Sequence, residues 1–181
     1  MTSILKVSQI QDPTNSNTAL TIDSSGRIVT PARPAFSVTQ IEASGNAGQT
    51  GHYSFNTVDT NINSCWNTSN NRFEAPVAGV YNFSFTGSAA RNSSGTVLFD
   101  NENCHLKLEK STDSGSNWTA ICNSYVYFAS ANGSVHLNMA LSGTFTLSNG
   151  DYVRINVANN YIHSSTLANE RSPTFSGYLI G

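Results

Sequence analysis

The stretch FEAPVAGVYNFSF, residues 73–85, carries the reading of the fold. Pro76 and Gly79 stand just ahead of Tyr81, Phe83 and Phe85, which alternate with Asn82 and Ser84. A period of two puts the aromatics on one face of a strand and the polar residues on the other. Pro76 fixes one backbone angle, and Gly79 can take conformations closed to other residues, so that a turn following Phe73 feeds the strand. Each such ring buries roughly 150–250 Å². At roughly 25 cal/mol per Å², a row of three is a large part of what holds a small domain together. The row reads as core, in preference to a ligand-binding stripe.

Outward from this strand, short apolar alternations and turn signals follow one another along the chain. The strand candidates are AFSVTQ, HYSFNTV, GVYNFSFTG, CHLKLEKS, WTAICNSYVYF, VHLNMALSGTFTL, DYVRINVA and TFSGYLI. Between them lie loops rich in Gly, Ser and Asn, such as GNAGQTG, TDSGSN and SNGD. Val135, Leu137, Met139 and Leu141 point one way, with Asn138 and Ser142 on the other side. No window of helical length shows an apolar period of three to four. The expected fold is all-β, a two-sheet jelly-roll sandwich with one buried face per sheet.

Composition agrees and excludes several functions. Charged residues make up 11% of the 181, against roughly 25% in ordinary globular domains. Ser, Thr and Asn together exceed a third of the chain. Aromatics at 10% with so little charge exclude disorder. A net charge of −2 with no Lys/Arg cluster leaves no basis for binding nucleic acid or an anionic membrane. No segment has the length and hydropathy to insert in a membrane, and the first twenty residues lack a signal-type apolar core. Assembly in a cytoplasm is therefore expected.

The first thirty-odd residues differ from the rest. A turn cluster at residues 12–17 precedes TALTID, the turn at Ser24–Gly26 and RIVT, which together read as a hairpin. Such a hairpin is marginal in water by itself. Residues 1–32 are thus expected to form an anchor or stalk whose apolar residues Leu5, Val7, Ile10, Leu20, Ile22 and Ile28 are covered by another copy or another protein. TPARP, residues 30–34, is an extended linker, and residues 33–181 form the head.

Phe55, Asn61, Trp66, Phe73, Gly79, Tyr81, Phe83 and Phe85 match, in order and at every interval, the signature of the globular head of complement component C1q, in the C1q/tumour-necrosis-factor superfamily. TFSGYLIG, with Phe175, Gly177 and Tyr178, resembles the closing strand of that family, and RPAFSV its opening strand. The resemblance implies a homotrimer of jelly rolls with the N-termini gathered into a stalk. The stalk has neither a Gly-X-Y repeat nor heptads, which departs from the secreted animal members. LKVSQIQD followed by NTALTIDSSGRI instead resembles the β-rich lead-in of bacteriophage tail-fibre and virion-appendage proteins. That resemblance implies a virion location, contacts with other virion proteins through the N-terminal segment, and a host-surface glycan or protein as the partner of the head. The alternative, a secreted C1q-like lectin or signalling ligand, calls for a leader or a collagen-like stalk.

No catalytic constellation is legible, and an enzyme is not expected. His52, His105, His136 and His163 are scattered and show no zinc spacing. Neither GxSxG nor HExxH occurs. Asp100 and Glu102 form the one close acidic pair with amide neighbours; a solvated loop is the preferred reading, with calcium, which some heads of this family bind, as the lesser one. No other cofactor is expected. Cys65, Cys104 and Cys122 lack CxxC spacing and read as small buried hydrophobes. Cys104 and Cys122 fall in adjacent strands, where either a disulfide or two thiols is open, thiols being favoured in a cytoplasm. The neutral amide and hydroxyl surface suits either sugar hydroxyls or a soluble coat.

Overall fold

Side chains that alternate between apolar and polar over nearly the whole length produce strands from end to end. The computed structural model describes residues 6–14, 16–41, 48–90, 102–128, 137–163 and 171–180, and among these there is no helix. The chain divides into two units, Met1–Arg33 and Pro34–Gly181.

The first unit is a three-stranded antiparallel sheet rather than the expected two-stranded hairpin. Strand β1 (Gln9–Gln11) pairs with β2 (Thr18–Ile22), which pairs with β3 (Ile28–Val29). Gln9 and Gln11 break the apolar alternation, so β1 leaves no strand signal in the sequence. Asp23 organises the second turn, accepting from the Ser25 and Arg27 amides at 2.8 and 2.9 Å and from Arg27 Nε at 2.7 Å. Gly26 closes it at φ +78°, where a side chain would be strained.

Among the described residues of the head, eleven strands follow: β4 (Ala35–Ile41), β5 (Gly48–His52), β6 (Thr57–Ile62), β7 (Trp66–Asn67), β8 (Arg72–Glu74), β9 (Gly79–Ala90), β10 (Glu102–Ser111), β11 (Thr119–Phe128), β12 (Leu137–Leu147), β13 (Tyr152–His163) and β14 (Arg171–Leu179). One sheet runs β6-β4-β14-β9-β12. The other runs β11-β10-β13, with β8 and β5 on the far edge of β13. At one end Tyr161–His163 of β13 pair with Ser88–Ala90 of β9, which joins the two sheets into a continuous ladder. This is the jelly-roll sandwich.

Two expectations change. HYSFNTV is not one strand: β5 ends at His52 on β13, and β6 begins at Thr57 on β4, so residues 53–56 cross from one sheet to the other. The crossing is pinned by Tyr53 N on Ile155 O (3.0 Å) and Phe55 N on Asn71 Oδ1 (2.8 Å). Gly79 does not adopt a left-handed backbone; it is the first ladder residue of β9, opposite Leu147. The turn before it is held from outside, by Ala75 N on Asp151 O, Gly150 N on Ala75 O and the Tyr81 hydroxyl on Val77 O (2.8 Å). The short β7 and β8, two and three residues long, carry no periodic signal. Leu5, Asp100, Val135 and His136 lie outside the described residues.

Between the sheets lies a layer of rings. Phe36 stacks on Trp66 at 5.0 Å and on Phe73 at 5.4 Å, and meets Phe175 edge-on at 5.0 Å. Phe73 meets Tyr81 and Phe83, each at 5.2 Å. Val153, Ile155, Leu106 and Leu108 close the layer from the second sheet. Gly177 leaves the space the rings need: a Cβ there would lie 2.6 Å from Phe83 Cδ1 and 2.7 Å from Phe36 Cε1. Gly177→Ala is expected to lower stability to urea by about 1–3 kcal/mol; an unchanged midpoint would show that the rings give way freely.

The turn between β10 and β11 is built on Asp113, whose carboxylate takes the Asn117 amide (2.9 Å), the Asn117 side chain (2.6 Å) and the Ser111 hydroxyl (2.7 Å). These bonds hold its pKa down to about 2 from the ordinary 3.8. A depressed carboxylate stabilises above its unfolded pKa and ceases to do so as pH falls through the folded value. The Asn117 amide resonance should keep its native position to about pH 3 and move with a midpoint near 2; movement centred near 4 would mean that the turn does not hold the carboxylate.

Candidate functional site

The signature residues are spent on packing. Phe55, Trp66, Phe73, Tyr81, Phe83, Phe85 and Phe175 are all buried among one another. Asn61 acts on the backbone instead. Its side chain accepts from Trp66 N (2.9 Å) and donates to Trp66 O (3.0 Å), fixing the chain segment that presents the indole to Phe36. Gly177 faces inward with Phe175, whereas Tyr178 of the same strand faces out.

Among the described residues, the cysteines of the core are held unreactive. Burial pushes the Cys65 thiol up to about 11 and the Cys104 thiol to about 12, so both stay protonated and unreactive. Cys104 stands opposite Val126 and Cys122 opposite Leu108. They are four residues out of register, about 13 Å along a strand, and no disulfide joins them. Among the described residues, no three His, Cys, Asp or Glu side chains gather to hold a metal ion. His105 sits on the outer side of β10, edge-on to Tyr125 at 5.5 Å.

What remains is surface, and one face stands out by its uniformity. On the side of β6-β4-β14-β9-β12 away from the core, Thr60, Ser37, Ser176, Ser84 and Ser142 stand opposite one another, strand after strand. The row on one side is Thr39, Thr174, Thr86 and Ala140, and on the other Ala35, Tyr178, Asn82 and Thr144. None of the three rows contains a charged side chain. Hydroxyls bond within the plane, Thr86 to Thr174 at 2.9 Å and Ser142 to the Phe83 carbonyl at 3.1 Å. At the β6 edge the buried Thr39 hydroxyl donates to the Asp59 carboxylate at 2.7 Å; inward from that edge, and apart from Tyr178, the side chains are small and uncharged, and another β-surface can approach them closely without stripping water from an ion. Each strand shows its polar positions in the sequence; their alignment into rows depends on the cross-strand register, which the sequence does not display.

The N-terminal unit offers the opposite kind of surface. Ile28 is 71% exposed, and Val7, Ile10, Ile22 and Val29 are exposed as well, with Leu20 half-buried. None of the described residues in this unit is buried. An apolar set this open on a sheet this small gains little from folding by itself.

Comparison with known proteins bears on the head. The C1q domain family model matches residues 35–180. The globular domain of zebrafish complement 1qA superposes with a TM-score of 0.57 at 23% identity, covering 82% of this chain and 98% of that one. The Eiger TNF from S. frugiperda superposes with a TM-score of 0.61 at 8% identity, covering 83% and 94%. Identities this low speak to the fold. None of the curated proteins matches the chain.

Proposed function

Since residues 35–180 place this chain in the C1q domain family, we propose that the protein is a non-enzymatic structural component of a bacteriophage virion. Its N-terminal unit attaches to another virion protein, and its jelly-roll head assembles as a homotrimer that projects from the particle and meets the host surface. The observation that carries the attachment is the first unit, a three-stranded sheet in which Ile28, Ile10 and Val29 are open to solvent and no described residue of the unit is buried. The likeness of LKVSQIQD and NTALTIDSSGRI to virion lead-ins supplies the kind of partner. The trimer is supported by the family and by the uncharged hydroxyl face. Three heads on one stalk multiply weak contacts into useful avidity.

The second reading is a secreted C1q-like lectin or signalling ligand. It draws on the complement head and the TNF among the structural neighbours. Imaging of purified particles separates the two readings. The virion reading expects density for this chain on the particle; its presence only in the soluble fraction of the lysate would overturn that reading.

Assembly is tested apart from location. Light scattering on the full chain is expected to give about three times the 19.4 kDa chain mass. Ser84→Arg with Ser176→Arg, on the central serine row, should reduce it to one chain while thermal unfolding stays cooperative. A trimer that survives both arginines would exclude this face as the contact.

A further inference from the structure

At the end of the second sheet, where residues 53–56 cross over, a polar cleft of about 290 Å³ opens between the loop joining β7 to β8 and the loop joining β10 to β11. Arg72 and Arg154 both line it. Arg154, on β13, gives Nε and Nη2 to Glu109 Oε2, each at 2.9 Å, and lies 3.9 Å over the Trp118 ring. Arg72, at the start of β8, gives Nε to Glu74 Oε1 at 3.2 Å and lies 3.7 Å over the Tyr152 ring. Each fork is therefore held flat by an aromatic face and by one carboxylate, with side-chain exposure of 17% for Arg72 and 19% for Arg154. A guanidinium has five N–H donors. Both Nη groups of Arg72 and Nη1 of Arg154 make no hydrogen bond among the described residues, and both residues line the cleft.

The walls complement these donors. His52 Nε2 lies 2.9 Å from Asn71 O, so it carries the proton and leaves Nδ1 as an acceptor. Burial lowers the pKa of His52, which keeps the ring neutral at pH 7. Asn70 and Ser69 line the same cleft. Gly115, at φ +87°, lets the opposite loop come down on Arg72, since a Cβ there would lie 2.8 Å from Nη1.

We propose that this cleft binds an acidic monosaccharide unit, a pyranose bearing a carboxylate. The carboxylate takes the spare N–H groups of Arg72 and Arg154, a planar pairing that guanidinium geometry favours. The ring hydroxyls use His52 Nδ1, Asn70 and Ser69. The volume lies at the small end of the ligand-site range, roughly 300–1,000 Å³, which suits one sugar ring and not a nucleotide or a peptide. Only polar groups and ring edges line it, which disfavours an apolar ligand. The inference deepens the reading of the head as a recognition module and rests on that reading only for where such a sugar is met.

The test is a titration of the full-length protein followed by proton–nitrogen NMR. The chain has two tryptophans: Trp118, whose indole N–H bonds to Gly115 O at 3.0 Å beside the cleft, and Trp66, buried in the core, which serves as an internal reference. Glucuronate and N-acetylneuraminate are the probes, with glucose and sulfate as the uncharged and sugar-free controls. At least one acidic sugar is expected to shift the Trp118 signal saturably, with a dissociation constant of about 0.1–1 mM, and to leave Trp66 unmoved. Arg72→Gln should weaken this at least tenfold, and Asn70→Ala, a rim change that disturbs no core contact, about threefold. No saturable shift with either acidic sugar overturns the proposal. So does an equal response to sulfate, which would make the cleft a plain anion site, or an affinity unaltered in both variants. The result does not depend on particles: virions lacking this chain would remove the virion reading and leave the sugar titration standing.

Discussion

The head depends on an empty space. Phe36, Phe83 and Phe175 come from β4, β9 and β14, and their rings meet in one layer only because residue 177, opposite Phe36 and Phe83 in the ladder, has no side chain. With any Cβ at that point the rings must part, and Trp66 and Phe73, which lean on Phe36, lose their seat. Aromatic pairs contribute about 0.5–1.5 kcal/mol each beyond the area they bury, so a layer that shares one ring among several partners responds to a disturbance as a unit. The signature spacing found in the sequence is the one-dimensional trace of that layer.

This explains why so much of the fold is legible. Tyr81, Phe83 and Phe85 announce their strand because three consecutive inward positions are filled by rings, and period two is hard to mistake at that length. The crossover at residues 53–56 is not legible. Tyr53 and Phe55 alternate like strand residues because both face the core, yet the backbone between them leaves one sheet for the other. Gly79 misleads for a related reason: a glycine before a strand suggests a turn, but here the turn is fastened by Gly150 and Asp151, far along the chain. Local chemistry names the inward face; it does not say which neighbour completes a hydrogen bond.

The cleft is less legible still. Arg72, Trp118 and Arg154 are singletons in the sequence, drawn from a short hairpin, a turn and a long strand. Only the register that sets Glu109 opposite Arg154, together with the descent of the Gly115 loop onto Arg72, brings them together. The N-terminal unit lies between these extremes. Its strands β2 and β3 can be read from TALTID and RIVT, while β1 cannot, and the openness of its apolar residues follows from how little a sheet of this size can enclose.

The serine rows have a consequence of another kind. A hydroxyl proton turns about its C–O bond, so each Ser or Thr can donate or accept as its neighbour requires. A face made of such groups carries no fixed polarity and no lock-and-key pattern: a mating surface can settle on it at slightly different angles and still pair every group. Across the serine row, away from the Asp59 carboxylate bonded to Thr39, added salt has little to screen. A joint made on such a face would be tight without being keyed, and its angular register would have to be set elsewhere, by bulkier groups at the margin such as Tyr178.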